Sequence, residues 1–175
     1  MLGVCVVERA REYPTVREIY GSMVFDRRVM KEKLTSGVYE QVVAAMEGRQ
    51  RLDAAAADVV AMAMRDWAIA QGATHWTHWF QPQTEMTAEK HMAFTLGGVD
   101  GMPVDVFCGH DLVQGEPDAS SFPSAGKRST FEARGYNAWD ISSPAFIVKS
   151  AKGGTLCIPS VFLSCDGTPL DLKTP

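Results

Sequence analysis

The sequence lacks any long hydrophobic run, and this absence excludes two classes of protein. No apolar stretch approaches the roughly 18 residues that a helix needs to cross a bilayer. Only Met1 to Val7 precede Glu8, which is too short a segment for a secretory signal peptide. We therefore expect a cytoplasmic protein with no membrane partner.

Basic charge and paired cysteines are also lacking. Lysine and arginine total 17 against 21 aspartate and glutamate residues, so the sequence offers no basic surface for nucleic acid. The four cysteines contain no CxxC pair, which favours free thiols over disulfides in a cytosolic chain. A histidine, His110, lies close to Cys108, but buried small hydrophobes remain the favoured interpretation of these cysteines.

The common signatures of phosphate and metal binding are missing or weak. The sequence has no GxxxxGK motif followed by Ser or Thr, and no GxGxxG follows a strand, so an ATP site would lie mainly elsewhere. His75, His78 and His91 could be considered zinc ligands. However, His75 and His78 are three residues apart, which places them on opposite faces of a strand. We predict hydrogen-bonded or structural histidines and no metal site.

The first half of the sequence predicts helices. A short charged helix covers Val29 to Leu34, and Asp53 offers an N-cap to an alanine-rich helix that stops at Gly72. Between them, apolar residues at three-to-four spacing mark a further helix that ends near Gly48. These apolar residues are Val38, Val42, Val43 and Met46.

The second half predicts strands and one long loop. Thr74 to Phe80 is dense in β-favouring residues, and four further segments carry strand signals. These are Met92 to Leu96, Val104 to Cys108, Ala145 to Lys149 and Leu156 to Ser164, the first two joined as a hairpin through Gly97 to Gly101. We predict an α+β fold with N-terminal helices over residues 1–80. A small, mostly antiparallel sheet follows over residues 81–175, with a functional loop at residues 109–130.

Polar chemistry is concentrated in the segment from Gly115 to Pro123. Asp118 and Ser121 lie there on a turn between two prolines, and a carboxylate beside hydroxyl groups could hold a small cation or take its proton. Asp and Ser also populate turns simply by capping their own backbone. The residues alone leave both interpretations open.

Several blocks together resemble the N-terminal region of type III glutamine synthetases, from about Tyr20 to Pro175. The blocks are YGSMVF (20–25), DWAIAQGATHWTHWFQP (66–82), TAEKH (87–91), GEPDASSFP (115–123), FEARGYNAWD (131–140), SPAFI (143–147) and TLCIP (155–159). The resemblance implies a β-grasp-like region that packs against the catalytic domain of the same and neighbouring subunits in a homo-oligomeric ring. It also implies that the catalytic domain holds ATP and Mg²⁺ or Mn²⁺.

The resemblance also implies roles for individual residues. Other classes of the enzyme carry an Asp-Gly-Ser-Ser segment that binds and deprotonates ammonium, and Asp118 to Ser121 is similar to it. Asp118 would be the catalytic, ammonium-binding carboxylate and Ser121 its hydrogen-bonding companion. Ala119 departs from the pattern by replacing glycine, and Lys127 replaces an apolar residue.

The chain contains no segment that resembles the glutamate-rich metal sites or the ATP-binding region of the family. We therefore expect the chain alone to be inactive and to act as part of a glutamate–ammonia ligase. The alternatives are a non-catalytic assembly or regulatory module that binds full-length glutamine synthetase, and a fragment without function.

Overall fold

The computed structural model describes residues 13–80, 91–98, 100–114, 136–151 and 153–163. The helices in these residues are α1 (Val16–Ile19), α2 (Arg27–Lys33), α3 (Ser36–Met46), α4 (Ala54–Ala70) and α5 (Gly109–Val113). The strands are β1 (Ala73–Phe80), β2 (Met92–Ala93), β3 (Thr95–Gly97), β4 (Pro103–Asp105), β5 (Tyr136–Trp139), β6 (Phe146–Ser150) and β7 (Gly153–Leu163). Within this part of the chain, no helix is long and apolar enough to span a membrane.

Side-chain caps and glycines define the ends of the predicted helices. The Asp53 carboxylate accepts a hydrogen bond from the backbone N–H of Ala56 at 2.7 Å, which caps α4. Asp26 caps α2 in the same way by accepting from Val29 at 2.9 Å. Gly72 follows α4 with a φ of 88°, a left-handed conformation that glycine adopts without steric cost. The three predicted helices are confirmed.

The main sheet is built around β7. Strand β1 pairs with β7 in parallel, and β2 pairs with β1 antiparallel. On the other side of β7, β6 pairs with its first half and β5 with its second half, both antiparallel. The sheet is therefore antiparallel in most of its pairings, as predicted, although its longest pairing is the parallel one.

Two of the predicted strands are shorter than expected. Met92 to Leu96 is not one strand, because the chain changes partner at Phe94. The Phe94 N–H donates to the carbonyl of Thr74 at 3.0 Å, while its own carbonyl accepts from Val106 at 2.7 Å. Val104 to Cys108 is likewise limited to β4, which pairs with β3 as the predicted hairpin. Phe107 leaves the strand and packs on Phe94, with ring centroids 5.6 Å apart.

The helices and the sheet share one hydrophobic core. Trp67 of α4 packs on Phe25 with ring centroids 5.3 Å apart, and Trp76 of β1 packs on Phe107 at 5.0 Å. Leu156 and Ile158 of β7 are fully buried in the same cluster. This arrangement of helices beside a mixed sheet confirms the α+β fold class.

Candidate functional site

Asp118 and Ser121, the predicted site residues, lie outside the described residues, as do Ala119 and Lys127. The structure does describe the residues that precede and follow their segment. Gln114 forms an isolated antiparallel bridge with Ala138 of β5. The chain therefore leaves the described structure at Gln114 and returns beside the same point, so this bridge anchors both ends of the segment.

Helix α5 leads directly into this segment. It occupies Gly109–Val113, so the described part of the predicted loop at 109–130 begins as a helix. The Asp111 carboxylate accepts from the backbone N–H of Cys108 at 2.9 Å, which closes the first turn. The Gly109 N–H donates to the Asp58 carboxylate of α4 at 2.8 Å. A hydrogen bond to α4 thus holds the start of α5.

Glycine at position 109 allows α5 and α4 to approach closely. A Cβ atom at this position would lie 2.6 Å from the backbone nitrogen of Asp58 and 2.8 Å from the carbonyl carbon of Ala57. Both atoms belong to the backbone of α4 and cannot rotate away. Gly109 is therefore required by the packing of the two helices rather than by its own φ angle.

His78 of β1 lies beneath α5 and is 6% exposed. Its Nε2 is 2.8 Å from the backbone carbonyl of Asp111, and its Nδ1 is 2.6 Å from the hydroxyl of Ser160 on β7. Burial lowers the pKa of His78 below its ordinary value of 6.5, and the hydrogen bond to Asp111 offsets only part of this effect. The imidazole is therefore neutral near pH 7.

The returning end of the segment is also fixed by polar contacts. Partial burial raises the pKa of Asp140, but hydrogen bonds from the hydroxyls and a backbone N–H of Ser142 and Ser143 lower it more, to below its ordinary 3.8. The Asp140 N–H donates to the carbonyl of Pro159 at 2.8 Å. The chain after β5 is thus tied to β7 while its carboxylate stays ionised.

A cavity of about 410 Å³ opens beside the bridge between Gln114 and Ala138. Its wall includes Arg51, Leu52, Val113, Trp139 and Ile141. The indole N–H of Trp139 is buried and has no hydrogen-bond partner among the described residues. The described residues that line the cavity are mostly apolar, and Arg51 is the one charged side chain among them.

The histidines are separated as the strand geometry requires. His75 is exposed and its Nδ1 contacts the Thr74 hydroxyl at 2.8 Å, whereas His78 is buried on the opposite face. His91 lies beside Thr155, with its Nδ1 3.4 Å from the hydroxyl. Among the described residues, no three His, Cys, Asp or Glu side chains come together as a metal site.

Comparison with known proteins identifies the family. The family model "Glutamine synthetase type III N terminal" matches residues 16–175. A protein named glutamine synthetase from Bacteroides fragilis (strain YCH46) is 51% identical over 158 residues, covering 90% of this chain and 21% of that protein. A type-3 glutamine synthetase from Dictyostelium discoideum is 48% identical over 160 residues, covering 90% of this chain and 22% of that protein.

The chain belongs to the type III glutamine synthetase N-terminal family. It spans about a fifth of the length of the two relatives described above. The resemblance that the sequence blocks indicated is confirmed.

The blocks that carry the family resemblance surround the anchors of the candidate site. The block at 66–82 runs from the end of α4 through β1 and includes His78, and the block at 131–140 includes β5 and Asp140. Sequence reasoning predicted a hydrogen-bonded histidine at His78, which is confirmed. It missed the partners Asp111 and Ser160, which are 33 and 82 residues away in the chain. The one signal in the sequence that His78 is buried was Trp76, a buried tryptophan on the same face of the strand.

Proposed function

We propose that this chain is the N-terminal part of a glutamate–ammonia ligase, which makes glutamine from glutamate, ammonium and ATP. The observation that carries the proposal is the match of residues 16–175 to the N-terminal family of type III glutamine synthetases. A glutamine synthetase and a type-3 glutamine synthetase are 51% and 48% identical to the chain over the aligned 90% of its length. The proposal places the protein in the cytoplasm.

Asp118 is proposed to bind ammonium and Ser121 to assist it. A carboxylate attracts the cation, and the serine hydroxyl accepts a further N–H hydrogen bond. Ammonium has no free electron pair, so it must first lose a proton before its nitrogen can attack an activated glutamate. Asp118 accepts that proton on a carboxylate oxygen, which leaves ammonia in place to react.

The anchors of the segment support this role. Gln114 and Ala138 form a bridge. Asp118 follows Gln114 by four residues, so the Cα atoms of Gln114 and Asp118 can be at most about 14 Å apart. Two fixed ends reduce the conformations open to the chain between them, which lowers the entropy cost of holding a carboxylate against a substrate. Such a segment suits a group that must be presented to a second domain.

The other substrates and cofactors are assigned to the catalytic domain outside this chain. Among the described residues, no three His, Cys, Asp or Glu side chains come together in one group. ATP and the divalent ion would bind the catalytic domain of the same or a neighbouring subunit in a homo-oligomeric ring. The chain alone is proposed to be inactive.

The experiment is a steady-state assay of the full-length protein with the substitution Asp118→Asn, which keeps the size of the side chain but removes its charge. We expect glutamine formation to fall about a hundredfold, with ATP binding nearly unchanged, because a general base is lost. Asp100→Asn, at an exposed position between β3 and β4, is the matched control and should leave activity intact. Normal activity of Asp118→Asn at both low and saturating ammonium would contradict the proposal.

A further inference from the structure

The cavity beside the bridge between Gln114 and Ala138 has no role in the proposed reaction. Its volume of about 410 Å³ lies within the range of about 300–1,000 Å³ that is typical of small-molecule sites in proteins. Its described wall takes apolar side chains from separate parts of the chain, including Leu52 before α4, Val113 of α5 and Ile141 after β5. These side chains offer apolar surface to the hydrocarbon part of a ligand.

Arg51 gives this wall its positive charge. The other arginines whose side chains the structure describes are each paired with a carboxylate: Arg27 and Arg49 with Glu47, Arg28 with Asp26, and Arg65 with Asp66. The Arg51 guanidinium forms no such pair with any described residue. It is therefore available to an anion from outside the chain, at the edge of an apolar cavity.

Trp139 adds a second donor to the same wall. Its side chain is only 9% exposed, yet its indole N–H has no hydrogen-bond partner among the described residues. Buried donors are nearly always paired in folded proteins, so an unpaired one requires an explanation. Of the described indoles in this condition, Trp139 is the one that lines this cavity. A ligand with an oxygen acceptor would supply the partner.

We propose that this cavity binds a small monocarboxylate with an apolar body. The planar guanidinium of Arg51 matches the two oxygens of a carboxylate, and the apolar wall covers the hydrocarbon. A phosphate group carries up to two negative charges, more than this one guanidinium balances. No carboxylate lies in the described wall, so an ammonium group on the ligand would have no anionic partner there. Glutamate and ammonium do not match this chemistry, and the inference is independent of the proposed function.

The first test is an NMR titration of the isotope-labelled 175-residue chain with hydrocinnamate, a phenyl ring on a short carboxylate chain. Hydrocinnamide has the same body with a neutral head, and phenylalanine adds an ammonium group to it. We expect hydrocinnamate to bind with a Kd on the order of 1 mM, as for a small ligand with few polar contacts. The amide and phenylalanine should bind at least about tenfold more weakly. Equal binding of the acid and the amide would overturn the inference, as would no saturable binding of the acid up to about 10 mM.

Arg51→Met tests the proposed anion contact, because it removes the guanidinium and keeps an unbranched apolar side chain. We expect the Kd for hydrocinnamate to rise at least about tenfold and its advantage over the amide to disappear. Arg49→Met is the matched control, since it removes the same charge two residues away from an exposed pair with Glu47 outside the described wall. Equal weakening in both variants would mean general attraction of the anion to a positive surface, and the site would be refuted.

The indole resonance of Trp139 locates the ligand by a readout that does not depend on Arg51. Loss of one indole peak in Trp139→Phe assigns this resonance. We expect it to shift until hydrocinnamate saturates, while the resonance of Trp67, which lies in the hydrophobic core, stays in place. A Trp139 resonance that does not move at saturation would place the ligand elsewhere and overturn the inference.

A variant that fills the cavity completes the test without changing any charge. Ala45 of α3 lies in the wall, so Ala45→Leu places a larger side chain there and should abolish the binding of hydrocinnamate. Ala55→Leu is the control, because Ala55 is exposed on α4 and lies outside the described wall. Undiminished binding by a folded Ala45→Leu variant would contradict the proposed site.

Discussion

The protonation of His78 couples the stability of the folded chain to pH. Its pKa is lowered by burial, so below pH 6.5 the unfolded chain binds a proton that the folded chain does not. The free energy of unfolding should therefore decrease as the pH falls from 6.5 toward the folded-state pKa, by at most about 1.4 kcal/mol per pH unit. Above pH 6.5 His78 is neutral in both the folded and the unfolded chain, so it does not make the free energy of unfolding depend on pH. Urea denaturation of the 175-residue chain across this range measures the effect.

The glutamine in His78→Gln does not titrate, so the free energy of unfolding of this variant should depend less on pH below pH 6.5. His75→Gln removes an exposed imidazole from the same strand and should keep the slope. Asp140 does not interfere in this window, because its stabilising contacts are lost only as the pH falls below 3.8. If the free energy of unfolding fell equally with pH in His78→Gln and in the unmodified chain, His78 would not be the source of the pH dependence.

Gly109→Ala tests the close approach of α5 and α4. The added Cβ would lie 2.6 Å from the nitrogen of Asp58, so the helices must separate. We expect a loss of about 1–3 kcal/mol in the free energy of unfolding, as for other overpacked sites. Gly37→Ala is the control, because a Cβ there meets no atom within 4 Å and alanine favours the helix. Chemical denaturation should show opposite signs for the two variants, and a neutral Gly109→Ala would contradict this packing argument.

At the scale of single elements, the N-cap of α4 should contribute measurably to stability. Asp53→Ala removes the side chain that accepts from Ala56, and we expect a loss of about 1 kcal/mol, or roughly 2–4 °C in Tm for a domain of this size. Thr35 occupies the same position in α3 but makes no side-chain cap hydrogen bond, so Thr35→Ala should cost much less. Equal thermal shifts in calorimetry would show that the Asp53 hydrogen bond has no special weight.

Local patterns predicted the helices well and the strand boundaries less well. The spacing of apolar residues and the cap at Asp53 are properties of adjacent residues, so they are visible in the sequence. Strand β5 (Tyr136–Trp139) was missed because Asn137 and Ala138 carry no β preference, and pairing with β7 determines its conformation. The break at Phe94 arises in the same way from a change of distant partner.

For the candidate site too, the sequence indicates individual residues but not the contacts between remote ones. Asp118 and Ser121 could be proposed only through the family resemblance, since an acid and a hydroxyl on a turn have an ordinary capping explanation. His78 was visible as a polar residue among buried aromatic ones, but its contact with Asp111 depends on how β1 meets α5. Such contacts between remote residues require the fold, because no local pattern specifies them.

On the scale of the whole molecule, stability should be distributed unevenly between the main sheet and the hairpin β3–β4. Strand β7 pairs with β1 on one side and with β5 and β6 on the other, and its residues Leu156 to Ile158 are buried. Every residue of β3 and β4 is exposed, and the two strands pair only with each other. Few buried contacts therefore oppose a local opening of the hairpin.

We expect hydrogen exchange of the 175-residue chain to separate these regions. Amides paired between β1 and β7 should exchange only through global unfolding, so their rates should rise steeply with added denaturant. Amides of the hairpin should exchange much faster and with little dependence on denaturant, because local opening exposes little surface. If the hairpin amides instead followed the same denaturant dependence as β7, the hairpin would be part of the cooperative core. In that case its exposed side chains Leu96, Met102 and Val104 would not mark a region of low local stability.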